Sequence, residues 1–162
     1  MSEFRVVVVE DYEPFRRFIC STLGKRSDLQ IVGEVSDGLE AVVKVQQLRP
    51  DLILLDVGLP LLNGIEAARR IREISPDCKI LFVSQESSAD VAQEAFRLGA
   101  VGYVIKTLAG IELLAAVEAV CQGMRFVSEG LAEPIPPELA GNQPPNRLHQ
   151  SKVFVPARQV GD

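Results

Sequence analysis

The chain has 162 residues, 47% of them hydrophobic and 24% charged, which suffices for one ordinary domain plus an extension. Its formal net charge is −5 and no block is rich in lysine or arginine, which argues against nucleic acid as a main partner, because phosphate backbones are held by clustered cations. No apolar run approaches the roughly 18 residues that span a bilayer, and the start lacks the pattern of a signal peptide, so we expect a cytoplasmic protein without a membrane partner.

Apolar strands alternate with amphipathic helical patterns from residue 4 to about residue 122. Five strand–helix units with short connections predict a doubly wound parallel sheet with helices on both faces. Ser87 with Asp90 resembles a capping box at the start of the fourth helix. The strands are predicted at 4–9, 29–35, 51–56, 79–84 and 101–107, and the helices from residue 13, at 37–48, at 65–74, from residue 88 and from residue 110.

A doubly wound sheet binds ligands at the carboxyl ends of its strands, so the residues at those ends matter most. There the chain carries Glu10 and Asp11, then Asp56, Ser84 and Lys106 at the ends of the first, third, fourth and fifth strands. Two carboxylates about 5 Å apart repel each other by roughly 3 kcal/mol at an effective dielectric near 20. The fold therefore needs a proton, a lysine or a metal ion as compensation.

Hard oxygen ligands with open positions suit Mg²⁺, which prefers a couple of carboxylates plus a phosphate oxygen. We expect Glu10 and Asp11 to hold Mg²⁺ (or Mn²⁺), with Asp56 at the edge of the site. Asp56 can attack phosphorus to give an acyl phosphate, while Lys106 neutralises the transferring oxygens and Ser84 hydrogen-bonds one of them. The alternatives are plain ones: solvated surface acids, an aspartate that caps a turn, a serine that only caps a helix, and an ordinary surface lysine.

Short motifs stand in order at the ends of these strands. They are VVVVED with the acidic pair, LILLDVGLP with Asp56, LFVS with Ser84, and GAVGYVIK with Tyr103 and Lys106. Together they resemble the bacterial two-component response-regulator receiver domain over roughly residues 4–122. DGLEAV and LPLLNGIEAARRIR look like the NarL/FixJ-type branch, which usually carries a helix-turn-helix output domain.

The resemblance implies a fold and a metal site. The fold is flavodoxin-like (CheY-like), with five parallel strands in the order 2-1-3-4-5 and five helices. The metal ligands would be the side chains of Glu10, Asp11 and Asp56 together with the backbone carbonyl of Gly58.

The resemblance also implies a reaction and its partners. Asp56 would be the phosphoacceptor, with Lys106 and Ser84 as catalytic groups and with Ser84 and Tyr103 as switch residues. Tyr103 as a half-buried aromatic without a switch role is the alternative. Such a domain catalyses its own phosphorylation and dephosphorylation and is not an enzyme in the ordinary sense. Its partners would be a sensor histidine kinase or phosphotransfer protein, a downstream protein, and a second copy bound through the fourth helix, fifth strand and fifth helix.

The end of the chain differs from the rest. We predict a receiver domain at 1–123 and a proline-rich extension at 124–162 that is extended or disordered, because proline blocks helix interiors and strand ladders. KVFVP at 152–156 is a β-prone exception, and His149, the only histidine, is not expected to be a phosphodonor or a metal ligand. The length after residue 123 is too short for a helix-turn-helix module, which favours a stand-alone receiver.

Two further functions stay open. Gln85, where the family usually has a small residue, favours a module that docks partners without phosphorylation. A DNA-binding regulator that lacks its output domain is the other, and the acidic charge opposes it.

Overall fold

The computed structural model describes residues 3–143. The elements in chain order are β1 (Phe4–Val9), α1 (Glu13–Leu23), β2 (Leu29–Val35), α2 (Gly38–Leu48), β3 (Leu52–Leu55), α3 (Gly64–Ile74), β4 (Lys79–Ser84), α4 (Ala89–Arg97), β5 (Gly102–Ile105), a 3-10 helix (Lys106–Leu108), α5 (Ala109–Cys121), β6 (Phe126–Val127) and α6 (Pro137–Ala140).

The strands form one parallel sheet in the order β2-β1-β3-β4-β5-β6. This order contains the predicted order 2-1-3-4-5, and the doubly wound, flavodoxin-like fold class is confirmed. The prediction of five strands and five helices is wrong, because β6 and α6 bring each number to six within the described part of the chain. A two-residue strand is too short to show an alternating pattern, so no periodicity in the sequence marks β6.

The sheet separates two apolar layers, as the alternation of side chains along a strand requires. Val7 and Val9 of β1 face the layer that holds α2, α3 and α4, and Val6 and Val8 face the layer that holds α1 and α5. All four residues of β3 are buried, as expected for a central strand covered on both faces. Burial of each such side chain contributes about 1.5–3 kcal/mol to the free energy of unfolding. This packing holds the strands in place, and with them the polar residues at the strand ends.

Local capping sets where the helices begin. The side chains of Asp37 and Asn63 accept hydrogen bonds from the backbone amides of Glu40 and Glu66 at the starts of α2 and α3. At α4 the cap is Ser88, whose hydroxyl accepts from the Asp90 amide, so the predicted capping box at Ser87 is displaced by one residue.

Residues 124–143 contain β6 and α6, although this part of the chain was predicted to be extended or disordered. Phe126 is fully buried beside α5, and Ile135 and Ala140 join the apolar layer that contains α4. Hydrophobic residues before and between the prolines supply this packing, which the proline content alone does not reveal. The predicted division of the chain at residue 123 stays a prediction, while His149 and KVFVP at 152–156 lie outside the described residues. Within residues 3–143, no helix combines the length and the apolarity needed to cross a bilayer.

Candidate functional site

Four neighbouring strands deliver the predicted site residues to one edge of the sheet. Glu10 follows β1, Asp56 follows β3, Ser84 ends β4 and Lys106 follows β5, because parallel strands point their carboxyl ends the same way. The structure brings them together in a cavity of about 580 Å³. The cavity is lined by Glu10, Asp11, Tyr12, Phe15, Asp56, Val57, Gly58, Ser84, Gln85, Glu86, Lys106 and Thr107.

Lys106 lies between two acidic groups. Its Nζ is 2.8 Å from Glu10 Oε1 and 3.0 Å from Asp56 Oδ2, and it donates a hydrogen bond to the Asp56 oxygen. Burial by itself would lower the pKa of Lys106, but the interactions with both carboxylates outweigh burial and raise the pKa above its ordinary value. The side chain is therefore a fixed cation at the phosphoacceptor candidate, and not an ordinary surface lysine.

Glu10 is a buried acid, with 1% of its surface exposed. Its Oε2 accepts a hydrogen bond from the Tyr12 amide at 3.0 Å, whereas Oε1 accepts none from the residues described, although Lys106 Nζ lies close to it. Removal from water raises the pKa of Glu10 above its ordinary value, and the neighbouring Asp56 charge adds to the increase. A buried carboxylate that pairs with the Lys106 ammonium at 2.8 Å is not a solvated surface acid.

The acidic residues have the spacing and chemistry of a divalent cation site. One carboxylate oxygen from each of Glu10, Asp11 and Asp56 lies within 4.8 Å of the others. Oxygens on opposite sides of a small hard cation are about 4.2 Å apart. Small side-chain rotations would therefore bring the three carboxylate oxygens to the distances that such a cation requires. Asp11 is exposed and leaves the site open to solvent. Gly58 lines the same cavity and donates its amide to Asp56 Oδ1 at 3.3 Å, while its carbonyl as a further ligand stays a prediction.

Ser84 and Tyr103 meet at the loop after β4. The Ser84 hydroxyl accepts a hydrogen bond from the Glu86 amide at 3.0 Å, and the Tyr103 hydroxyl donates one to the Glu86 carbonyl at 2.8 Å. Tyr103 is fully buried beside Phe82, with the ring centroids 6.0 Å apart. Burial raises the pKa of Tyr103 to about 12. Both residues therefore bind the backbone of Glu86, Ser84 at its amide and Tyr103 at its carbonyl.

Three features of the site were missed by the sequence reasoning. The Phe15 ring lies under Lys106, with Nζ 4.9 Å from its centroid, which adds a cation–π contact. Arg16 donates to the backbone carbonyl of Glu10 at 2.7 Å and thereby fixes the acidic loop. Thr107 lines the cavity. The first turn of α1 shows only an ordinary amphipathic pattern, so its side chains carry no signal that they face the strand ends.

Residues 6–118 match the family profile described as the response regulator receiver domain. The DNA-binding transcriptional activator DevR/DosR of Mycobacterium tuberculosis is 36% identical over 137 residues, which cover 85% of this chain and 63% of that protein. The response regulator GacA of Pseudomonas viridiflava is 33% identical over 80% of this chain and 60% of its own length.

A solved two-component response regulator of the LuxR family from Aurantimonas sp. SI85-9A1 has a similar structure, with a TM-score of 0.76 and 33% identity. The match covers 81% of this chain and 94% of that one. By contrast, the chain spans roughly three fifths of the length of the curated relatives DevR/DosR and GacA.

Proposed function

The chain belongs to the response regulator receiver domain family of two-component systems, and on that premise we propose that it accepts a phosphoryl group on Asp56, with Mg²⁺ bound beside it. The observation that carries the proposal is the pairing of Lys106 with both Asp56 and Glu10 at the open end of the sheet. The phosphoryl donor would be a phosphohistidine of a sensor histidine kinase or a phosphotransfer protein, and the site would work in the cytoplasm.

The transfer is a displacement at phosphorus. An Asp56 carboxylate oxygen forms a bond to phosphorus, the bond between phosphorus and the histidine nitrogen of the donor breaks, and the electron pair of that bond leaves with the imidazole. Lys106 is placed to neutralise charge on the transferring group, because its ammonium already lies 3.0 Å from Asp56 Oδ2. In self-hydrolysis a water oxygen would bond to phosphorus, the bond from phosphorus to the Asp56 oxygen would break, and inorganic phosphate would leave the restored carboxylate; Gln85 and Glu86 line the cavity in which this would occur.

The metal ligands would be Glu10, Asp11 and Asp56 together with the Gly58 carbonyl. Bound Mg²⁺ supplies positive charge to the phosphoryl oxygens and keeps part of its own water shell. The charge balance of the cavity supports this assignment: three carboxylates have oxygens within 4.8 Å of one another, Lys106 pairs with two of them, and a divalent cation would offset the remaining negative charge.

The signal would leave the site through the loop after β4. A phosphoryl oxygen is a stronger acceptor than the groups around Ser84, so the hydroxyl would turn toward it and draw the 85–87 loop inward. Tyr103 holds the Glu86 carbonyl and would follow that movement. The surface that exchanges partners is then the one built by α4, β5 and α5, and the partner would be a downstream protein.

Binding of beryllofluoride with Mg²⁺, observed by fluorine NMR, tests this function. We expect a bound signal with the wild type that disappears with Asp56→Asn and with a chelator. Asp77→Asn, which changes an exposed aspartate far from the cavity, is the matched control and should bind like the wild type. A bound signal that survives Asp56→Asn would refute the assignment of the phosphoacceptor.

A docking module that works without phosphorylation is the second candidate. Gln85 favours it, because this long side chain is exposed and lines the cavity where the family usually has a small residue. Gln85→Ala separates the two: if Gln85 only crowds the cavity, the variant should bind beryllofluoride more tightly than the wild type. An unphosphorylated protein that binds its downstream partner as tightly as the phosphorylated one would favour docking alone.

A further inference from the structure

The surface formed by α4, β5 and α5 is covered by residues 124–143 of the same chain, termed here the carboxy-terminal segment. Its strand β6 pairs in parallel with β5, with Gly102 opposite Phe126 and Tyr103 opposite Val127. The Phe126 amide donates to the Val101 carbonyl at 3.0 Å, and the Ser128 amide donates to the Tyr103 carbonyl at 2.9 Å. The segment therefore takes the edge of β5 that a partner strand would need.

A buried acid on α5 holds the segment on one side. Glu112 has 1% of its surface exposed, and its Oε1 accepts a hydrogen bond from the Ser128 hydroxyl at 2.7 Å. Its Oε2 accepts from the Glu129 amide at 2.9 Å. Hydrogen bonds to a carboxylate inside the protein are stronger than neutral ones, so Glu112 is a specific anchor for residues 128–129.

Apolar contacts hold the segment on the side of α4. The helix α6 packs against α4, and Ile135 and Ala140 are buried in the same apolar layer as Ala92 and Phe96. Gly130 lies so close to the end of β5 that an added Cβ would be 3.0 Å from Leu108 Cδ1. The carboxy-terminal segment thus contacts all three elements of the α4–β5–α5 surface.

We propose that the carboxy-terminal segment is an intramolecular ligand of the α4–β5–α5 surface, and that it must leave β5 before a partner strand can pair there. The second half of the proposal concerns control: a phosphoryl group on Asp56 weakens the attachment of the segment. That half rests on the proposed function. The first half rests on the contacts alone.

The link from Asp56 to the segment runs through the loop after β4. Ser84 and Tyr103 hold the amide and the carbonyl of Glu86, and the next residue, Ser87, accepts a hydrogen bond from the Ala132 amide at 2.9 Å. A loop drawn toward the cavity by Ser84 would pull the Ser87 carbonyl away from Ala132. The same loop thus joins the phosphorylation site to the segment.

Hydrogen–deuterium exchange of the full chain measures the attachment. The amides of Phe126, Ser128 and Ala132 should be protected in the resting protein, since each donates within the fold. Ser128→Ala removes the bond to Glu112 and the one from the Gly130 amide, and it should speed exchange at residues 126–132 at least tenfold, because a single bond to a carboxylate already holds back opening by roughly that factor. Ser21→Ala, at an exposed serine on α1, should leave these rates unchanged.

A second pair of variants guards against a folding defect. Gly130→Ala crowds Leu108 and Ile105 and should release the segment while β1, β3 and β4 stay protected. Gly110→Ala places a methyl group in open space on α5 and should not release it. Unprotected amides at residues 126–132 in the wild type, or equal exchange in all four variants, would overturn the attachment.

Beryllofluoride with Mg²⁺ tests the control by Asp56. When fluorine NMR reports bound beryllofluoride, exchange at residues 126–132 should rise at least severalfold, and it should not rise in Asp56→Asn. Bound beryllofluoride with unchanged exchange overturns the control and leaves the proposed function standing. Failure of beryllofluoride to bind overturns the proposed function and the control together, whereas the Ser128→Ala result still decides the attachment.

Discussion

Replacement of Lys106 by methionine should destabilise the protein in the absence of a divalent cation. The ammonium attracts Glu10 at 2.8 Å and Asp56 at 3.0 Å, and each pair is worth between about 5 and 6 kcal/mol at an effective dielectric near 20, before the cost of removal from water. That cost offsets much of the attraction, and loss of one partner from a buried pair costs about 3–5 kcal/mol. Lys106 keeps 12% exposure, so we expect a loss at the lower end, about 3 kcal/mol at pH 7.

The pH dependence of this loss follows from the shifted groups. The raised pKa of Lys106 means that its stabilising contribution is complete below the ordinary value of 10.5 and disappears as pH rises through the folded pKa. The raised pKa of Glu10 means that this acid becomes neutral at a pH above its ordinary value of 4.5. Acid therefore relieves the repulsion that Lys106→Met uncovers, and the difference from the wild type should shrink as pH falls toward 4.5.

Urea unfolding followed by far-ultraviolet circular dichroism measures the effect, because the chain has no tryptophan. Lys25→Met is the matched control, since Lys25 is exposed and has no ion pair within the described chain. Mg²⁺ should restore part of the loss, because the cation replaces the missing positive charge. Equal stability of Lys106→Met and the wild type at pH 7 would refute the electrostatic account, as would a deficit unchanged by acid and Mg²⁺.

Three more outcomes are expected. Cys78 is buried, and burial raises the pKa of its thiol to about 12. A thiol reagent at pH 8 should therefore label Cys78 only as fast as the chain unfolds. Labelling in denaturant, where all three cysteines should react equally, is the reference. In a Tyr12→Phe background, absorbance at alkaline pH should show Tyr103 ionising only near pH 12, and ionisation near its ordinary value of 10 would contradict its burial. Gly64→Ala places a Cβ 1.9 Å from the Asp56 carbonyl oxygen and should cost about 3 kcal/mol in urea unfolding, whereas Gly58→Ala, with open space around its Cβ, should cost far less.

The sequence was sufficient for the strands that carry the site. LILL in β3 is apolar throughout because both faces of this strand are covered. In a parallel sheet, the polar residues that directly follow such apolar runs lie at the same edge of the sheet. Glu10, Asp56, Ser84 and Lys106 are therefore together as predicted. Their proximity follows from parallel topology, which short connections between strands and helices already determine.

The carboxy-terminal segment could not be predicted in the same way. Its attachment depends on Phe126 in a two-residue strand and on single contacts such as the Ser128 bond to Glu112, none of which repeats along the chain. Glu112 stands among apolar residues of α5, and a charged residue there looks like part of an exposed face. Composition rich in proline indicates an irregular path, but it does not distinguish a free chain from one packed on a surface.

Phosphoryl transfer from a small donor is the most direct test of the central proposal. With Mg²⁺ and phosphoramidate, intact mass spectrometry should show one phosphoryl group per chain, and peptide mapping should place it on Asp56. A chelator, or the Asp56→Asn substitution, should remove it, and Asp77→Asn should not. No adduct with any small donor in the presence of Mg²⁺, or an adduct of equal yield in Asp56→Asn, would contradict the account.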